Sequence, residues 1–317
     1  GVISGNGGLA LRGAGRLDLS GDNTYNGETK LFNGTSTSIL GLGHKNALGS
    51  STLVFDRTGH VEALVDLSGA NKILNDVIFF GKNSFFRVVG SHSLDIAGNI
   101  TIGGNRTANS ITNSITGGGV LTLSGTIRNT IVSKILDIFG NGSTVINGVI
   151  QDGSATNRLA LSKSGAGTLT LSSNNSYSGT TTLNAGTLIS VSDLPPASEV
   201  VMNNNAVWDL QKTQSIASLT MAAGNSITNT TGTATLSVTG TATLAGDVTT
   251  AGFQRYAGAV TLLTDVGLSA GESISFASTV DGAVNATIDV GADGFLVFND
   301  AVGAGNPLAS LSVGSVG

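Results

Sequence analysis

Cysteine is absent from the 317 residues, which excludes disulfides, thiolate metal sites and a cysteine nucleophile together. Proline occurs only 3 times, so little interrupts backbone pairing. The Pro-Pro pair in Asp193-Leu194-Pro195-Pro196 therefore marks a loop or a block boundary, because proline cannot donate to a sheet ladder. Charged residues make up 11% of the chain, against roughly 25% in ordinary globular proteins. Low charge often accompanies membrane spans, yet no apolar run approaches the ~18 residues a spanning helix needs. The densest run, Val77-Ile78-Phe79-Phe80, is strand-sized. The net charge of −5 is mild and scattered. No Lys/Arg cluster with interleaved aromatics leaves an electrostatic footprint for nucleic acid. Helical 3.6-residue periodicity is also missing, and glycine recurs too often for a helix to establish itself.

What is present is 46 glycines, abundant Asn, Thr and Ser, and 40% hydrophobic residues. The hydrophobic residues alternate with small or polar ones, which argues against disorder and for short strands with one buried face.

The chain also repeats itself. Gly13-Ala14-Gly15-Arg16-Leu17-Asp18-Leu19-Ser20 leads through Asn23-Thr24-Tyr25-Asn26-Gly27 to Thr29, Leu31 and Gly34-Thr35. Gly165-Ala166-Gly167-Thr168-Leu169-Thr170-Leu171-Ser172 leads through Asn175-Ser176-Tyr177-Ser178-Gly179 to Thr181, Leu183 and Gly186-Thr187-Leu188. More than half of the aligned positions are identical. A worn third copy keeps only the centre, Tyr256-Ala257-Gly258 followed by Val260-Thr261-Leu262. Gly13, Gly15, Leu17, Leu19, Tyr25 and Gly27 are thus the structural positions of the unit. They recur as Gly165, Gly167, Leu169, Leu171, Tyr177 and Gly179, with Tyr256 and Gly258 in the third copy.

Between the copies the rhythm persists. Leu53-Val54-Phe55, Ala63 to Leu67, Val77 to Phe80, Phe85 to Val89 and Leu94-Asp95-Ile96 read as strands. Arg57-Thr58-Gly59, Gly69-Ala70-Asn71, Gly81-Lys82-Asn83 and Gly98-Asn99 read as breaks between them. Val120 to Leu123 and Ile135 to Phe139 continue the series. Beyond the prolines come Val200 to Met202, Val207 to Leu210, Ile216 to Leu219 and Thr233 to Val238. Turn signals about every 8–15 residues suit a sandwich, a barrel or a solenoid. Internal repetition favours the solenoid, in which each coil stacks on the last and like sits above like. The reading is all-β, a right-handed parallel β-helix of roughly 13–15 coils at roughly 20–25 residues each. Two blocks are expected, 1–194 with repeats at about 1–35 and 165–188, and 195–317. Gly1 falls inside the pattern, so an internal piece of a longer chain is expected.

Chemistry-bearing residues are sparse. The 20 Asp and Glu residues are scattered, whereas a polysaccharide-cleaving β-helix needs clustered carboxylates. Asp56-Arg57 are neighbours whose side chains point to opposite faces of a strand. Asp289-Val290-Gly291-Ala292-Asp293-Gly294 faintly resembles a calcium loop but lacks its further acids, and reads as a turn. His44, His60 and His92 have no Cys or carboxylate partner nearby in sequence. No Gly-x-Ser-x-Gly elbow or complete Gly-x-Gly-x-x-Gly is present. The expectation is no enzyme, no cofactor, no metal site and no catalytic residue. Tyr25, Tyr177 and Tyr256 are open to two readings, a sugar-stacking row or packing at a coil corner. Trp208 is expected to pack under the Pro195-Pro196 loop.

The segment from Ile3 to Thr29 closely resembles the autotransporter-associated β-strand repeat of passenger domains, and Gly165 to Leu188 resembles it again. Gly246 to Val302 resembles the repeats of filamentous-haemagglutinin-type adhesins, through Gly258 to Leu262 and Ile274 to Ala283. The resemblance implies an exported bacterial surface segment, extracellular and anchored through a translocator barrel elsewhere. It implies little about activity, since similar solenoids carry adhesins, proteases and esterases. Three roles are expected in order: an adhesive or stalk segment, a self-assembling fibre or sheath subunit, and a polysaccharide-degrading solenoid. The partners expected are host or neighbouring-cell receptors or glycans, with end-to-end self-association as a further possibility because uncapped coils expose strand edges. Neither nucleic acid nor direct membrane insertion is expected.

Overall fold

The computed structural model describes residues 1–32, 38–79, 85–104 and 108–316. Asn33-Gly34-Thr35 of the first repeat, Phe80 and the expected Gly81-Lys82-Asn83 break lie outside the described residues. The chain forms two compact units, Gly1–Ser178 and Gly179–Gly317. Each is a parallel β-solenoid, with about 13 turns between them.

In the first unit each coil lays a strand on a first face, turns, lays another on a second face, and in the later coils a third. The first face stacks Leu9–Arg12, Thr29–Phe32, Leu53–Phe55, Val77–Phe79, Ile100–Ile102, Ile127–Asn129 and Ile150–Gln151. The second stacks Gly15–Leu19, Ser38–Leu42, Thr58–Ala63, Phe85–Val89, Ala108–Asn113, Lys134–Gly140 and Leu159–Lys163. The third stacks Leu94–Ile96, Val120–Leu123, Ser143–Ile146 and Thr168–Leu171. Parallel register sets Leu9 beside Thr29, then Leu53, Val77, Ile100, Ile127 and Ile150, so a coil takes 20 to 27 residues.

The second unit repeats the plan with shorter coils. Thr181–Leu183, Glu199–Met202, Ser218–Met221, Ala242–Leu244, Val260–Leu262 and Val280–Asp281 stack on one face. A second face runs from Thr187–Ser190 through Val207–Leu210 to Asn285–Gly291 and Ser310–Val316. The remaining face holds Gln214–Ile216, Leu236–Val238, Gln254–Tyr256, Ile274–Phe276 and Leu296–Phe298.

Strict alternation drives this arrangement. Every second side chain points inward, and the inward rows are aliphatic or aromatic: Leu31, Phe55, Phe79 and Phe86 are all fully buried. Phe55 lies 5.8 Å from Phe79 and 4.9 Å from Phe86, centroid to centroid. In the second unit Tyr256, Phe276 and Phe298 stack almost parallel at 5.2 and 5.1 Å. Offset stacking of this kind adds roughly 0.5–1.5 kcal/mol per pair beyond area burial.

Several boundaries differ from the sequence expectation. The strand expected over 63–67 is instead Thr58–Ala63, and it absorbs Thr58 and Gly59 of the expected break. Gly59 is a packing glycine: a Cβ there would strike the side chains of Phe55 and Leu31. Leu67 makes only an isolated bridge to Leu94. Ile216 to Leu219 is not one strand, because Gln214–Ile216 and Ser218–Met221 turn a corner at Ala217. Thr233 to Val238 contributes a strand only from Leu236. Gly69–Asn71 is a single 3-10 turn. Trp208 is fully buried in Val207–Leu210, between Leu188 and Ile227, with Nε1 donating to Ser190 Oγ at 2.7 Å. What holds the proline loop is Gln214, whose side chain accepts from Leu194 N–H and donates to Ser192 O, both at 2.9 Å.

Among the described residues most buried polar side chains are bonded, but one is left without any partner. Asn109, beside Leu136, is fully buried, and neither side-chain amide atom has a partner among the described residues. An unsatisfied buried polar group costs about 1–3 kcal/mol. Asn109→Leu, with the same number and branching of side-chain heavy atoms, should raise stability by that order in urea unfolding; an unchanged or lower midpoint would refute this account.

Candidate functional site: the coil corners and lateral faces

The repeat proves to be a recipe for one corner. Gly13 and Gly165 occupy the same left-handed conformation, at φ 74° and 78°, where a side chain would be strained. Leu19, Leu169 and Leu171 point into the core, while Leu17 is half-buried. Gly15 lies at φ 150° and is exposed. A Cβ at Gly27 would collide with the backbone of Gly7 and Gly8, one at Gly167 with Gly142, and one at Gly258 with Gly240. Those three glycines are required by close approach of the coil before. Gly179 is half-buried.

The tyrosines are interior residues. Tyr25, Tyr177 and Tyr256 are each at most 1% exposed, so they offer no stacking row to a sugar. Tyr25 Oη bonds Thr29 Oγ1 at 2.7 Å, and Thr29 Oγ1 bonds Ser51 Oγ in the next coil at 2.9 Å. Thr181, the counterpart of Thr29, makes the same contact with Ser198 at 2.8 Å. Position 260 is a valine, and Tyr256 Oη turns instead to Gln254 Oε1 at 3.0 Å. Burial raises the pKa of the Tyr256 phenol.

The copies do not sit above one another in one column. Gly15–Leu19 is on the second face of the first unit, and its counterpart Thr168–Leu171 is on the third. Like therefore need not stack on like; the recipe serves two different corners of the coil. Sequence reasoning also passed over Asn23 and Asn175, although both stand at the same place in the repeat. Asn23 accepts from Ile3 N–H at 2.8 Å and donates to Ala47 O at 2.7 Å, and Asn175 accepts from Ile150 N–H at 2.9 Å.

The carboxylates have a similar task. Asp76 accepts from Asn99 N–H, Asp209 from Thr230 N–H, Asp247 from Gly267 N–H and Asp265 from Asn285 N–H, at 2.7 to 2.9 Å. Asp152 and Asp281 do the same for Ser178, Gly305 and Asn306. Each bond joins one coil to the next. Side-chain and backbone bonds from Asn285 lower the pKa of Asp265. No group of three or more His, Cys, Asp or Glu suited to a metal occurs among the described residues. Asp289 ends up within Asn285–Gly291, with Asp293 in the turn that follows. His44 Nδ1 accepts from Asn46 N–H at 3.2 Å within a turn, and His92 is exposed. His60 lies beside Arg87 on the second face; burial, then that cation, lowers its pKa.

Lys163 is the most perturbed cation among the described residues. Its Nζ donates to Ser164 O at 3.2 Å and Gly165 O at 2.7 Å inside the second repeat. Burial lowers its pKa to about 8, with partial compensation from Asp137.

Three lateral grooves carry mixed chemistry. In the first unit a groove of about 480 Å³ runs over the second face between His60, Arg87, Asp137 and Phe139. In the second unit a groove of about 400 Å³ is lined by Phe253, Arg255, Ser273, Ser275 and Phe295. On the other side of the same phenylalanines lies a groove of about 480 Å³ with Glu272 and Asp293.

Comparison with known families finds the passenger-associated-transport-repeat at residues 9–35 and 161–189, the two copies described above. The chain carries this repeat twice. Together with the parallel β-solenoid, the paired repeats fit an autotransporter passenger domain. No curated protein and no solved structure matches the chain.

Two expected outcomes test this account of the repeat. Gly13 has open space around its missing Cβ, whereas Gly165 abuts the backbone of Gly140. Gly13→Ala should therefore cost about 1 kcal/mol for backbone strain and Gly165→Ala about 2–3 kcal/mol, read from denaturant midpoints. Equal costs would discard the coil-contact argument. For Lys163, the folded chain releases its proton near pH 8 and the unfolded chain near 10.5. Between those values the unfolded state holds more protons, so stability rises with pH through the window and the penalty is fully present below it. Lys163→Met should be more stable than the parent at pH 7 and lose that share of the rise between pH 8 and 10. Parallel stability curves for the two proteins would contradict it.

Proposed function

We propose that the chain is the extracellular, non-enzymatic part of a bacterial surface protein, a solenoid that projects its lateral faces for attachment to other cells or surfaces. Anchoring through a translocator barrel outside this segment belongs to the same reading. One observation carries it: six of the aspartates, Asp76, Asp152, Asp209, Asp247, Asp265 and Asp281, are spent on holding coil to coil. Asp76, Asp209, Asp247 and Asp265 each accept a backbone N–H from the next coil. A carboxylate bound in that way is poorly placed as a general acid or base, because the oxygen that would exchange a proton is turned toward the backbone and already accepts its N–H. What faces outward is chiefly hydroxyl and amide, with a few exposed aromatics such as Phe139, Phe253 and Phe295. The receptors and glycans expected from the sequence remain the partners proposed.

The test is to display the chain on cells fused to a translocator barrel and count attachment to glycan-coated and epithelial surfaces. Attachment should exceed that of cells displaying the barrel alone, with no reducing ends released from the polysaccharides offered. Equal attachment would overturn the adhesive reading. Release of oligosaccharide abolished by one carboxylate substitution would overturn the non-enzymatic one.

A further inference from the structure

We propose that the Phe253–Phe295 face of the second unit binds an extended β-linked polysaccharide bearing carboxylates, laid along the direction in which the coils stack. Phe253 and Phe295 are 51% and 62% exposed and occupy one column, separated by the single coil that contributes Ser273. The ladder fixes that column: Gln254 N–H bonds Ser273 O, and Ile274 N–H bonds Phe295 O. Two coil steps at the ordinary spacing of paired strands amount to about 9.6 Å. That distance matches the two-residue repeat of an extended β-linked hexopyranose chain, whose flat C–H faces stack on aromatic rings. An extended peptide presents the same face only every second residue, about 6.6 Å, which does not divide the spacing of the two rings.

The backbone that carries the rings is held in place before any ligand arrives. Each follows a glycine at the corner, Gly252 and Gly294, which bond Ala234 O at 2.9 Å and Gly291 O at 2.8 Å. Ser273 Oγ accepts from Phe295 N–H at 3.1 Å. Behind the same strands runs the interior stack of Tyr256, Phe276 and Phe298, which stiffens the sheet under the platform. Preorganisation of this kind lowers the ordering cost of binding.

Charge sets the ligand class and its orientation. Arg255 shares a strand with Gln254 next to Phe253, is exposed, and makes no ion pair among the described residues. Ser237 and Ser275 flank it in the adjoining coils, as donors and acceptors for sugar hydroxyls. Across the two rings, Glu272 and Asp293 line the opposite groove and repel a carboxylate from that side. The two uronates stacked on the rings, which share one orientation in a two-residue repeat, therefore turn their carboxylates toward Arg255.

This proposal names a ligand class for the attachment reading above. It is tested on purified protein rather than on displayed cells, so either can fail alone. Calorimetric titration of the full chain would use β-1,4-linked hexamannuronate and the neutral β-1,4-mannohexaose. Hexamannuronate should bind more tightly than mannohexaose, and Phe253→Ala and Phe295→Ala should each weaken it about tenfold or more. Arg255→Gln should bring the two sugars to equal affinity. Both rings are exposed, so unchanged melting and circular dichroism certify the variants as folded. Failure of hexamannuronate to bind, or affinity unaltered in both phenylalanine variants, would overturn the proposal. Equal binding of the two sugars by the parent protein would overturn the role of Arg255.

Discussion

The structure depends on satisfying backbone groups where the coil turns a corner. Along each face, parallel pairing takes care of every N–H and C=O, but the ladder stops at each corner and leaves polar groups pointing at the coils above and below. Side-chain amides and carboxylates fill those places. Asn225 accepts from Ala206 N–H at 2.7 Å while donating to Met202 O at 3.0 Å and Ala222 O at 2.6 Å. Asn75 donates to Gly49 O at 3.1 Å and to Ser51 O at 2.6 Å. The unusual composition follows: few charges, many Asn, Thr and Ser, and glycine wherever two coils approach too closely for a Cβ.

Inside the coils a looser rule holds. An inward position must be apolar and of suitable size, yet it need not match its neighbours: Trp208 sits between Leu188 and Ile227, and Phe55 beside Leu31. This tolerance explains why only a small part of the chain carries a recognisable repeat. The two copies record a corner geometry built on a left-handed glycine and a buried tyrosine, and that geometry occurs on different faces of the first unit.

Much of the fold was legible because period-two alternation and glycine breaks are local signals. Val77–Phe79, Phe85–Val89, Leu94–Ile96 and Val207–Leu210 fall where alternation placed them. The misplacements arose where a local signal has two physical meanings. Gly59 looks like a turn residue but is small because Phe55 occupies the space beside it. Ile216 and Leu219 look like one strand but face the core from two sides of a corner. The lateral groove was harder to see, since Phe295 stands far in sequence from Phe253 and Arg255 and only coil stacking brings it to their surface. Nor did the sequence distinguish Asp residues free for chemistry from those held by the next coil, because the donor is a backbone N–H about twenty residues away.

The lone tryptophan has an optical consequence. Trp208 is the sole indole of the chain, fully buried in the second unit and hydrogen-bonded to Ser190. Its emission reports on that unit, while the first unit contributes only tyrosine and phenylalanine. The chain thus carries a label-free gauge by which opening of one set of coils can be followed separately from the other.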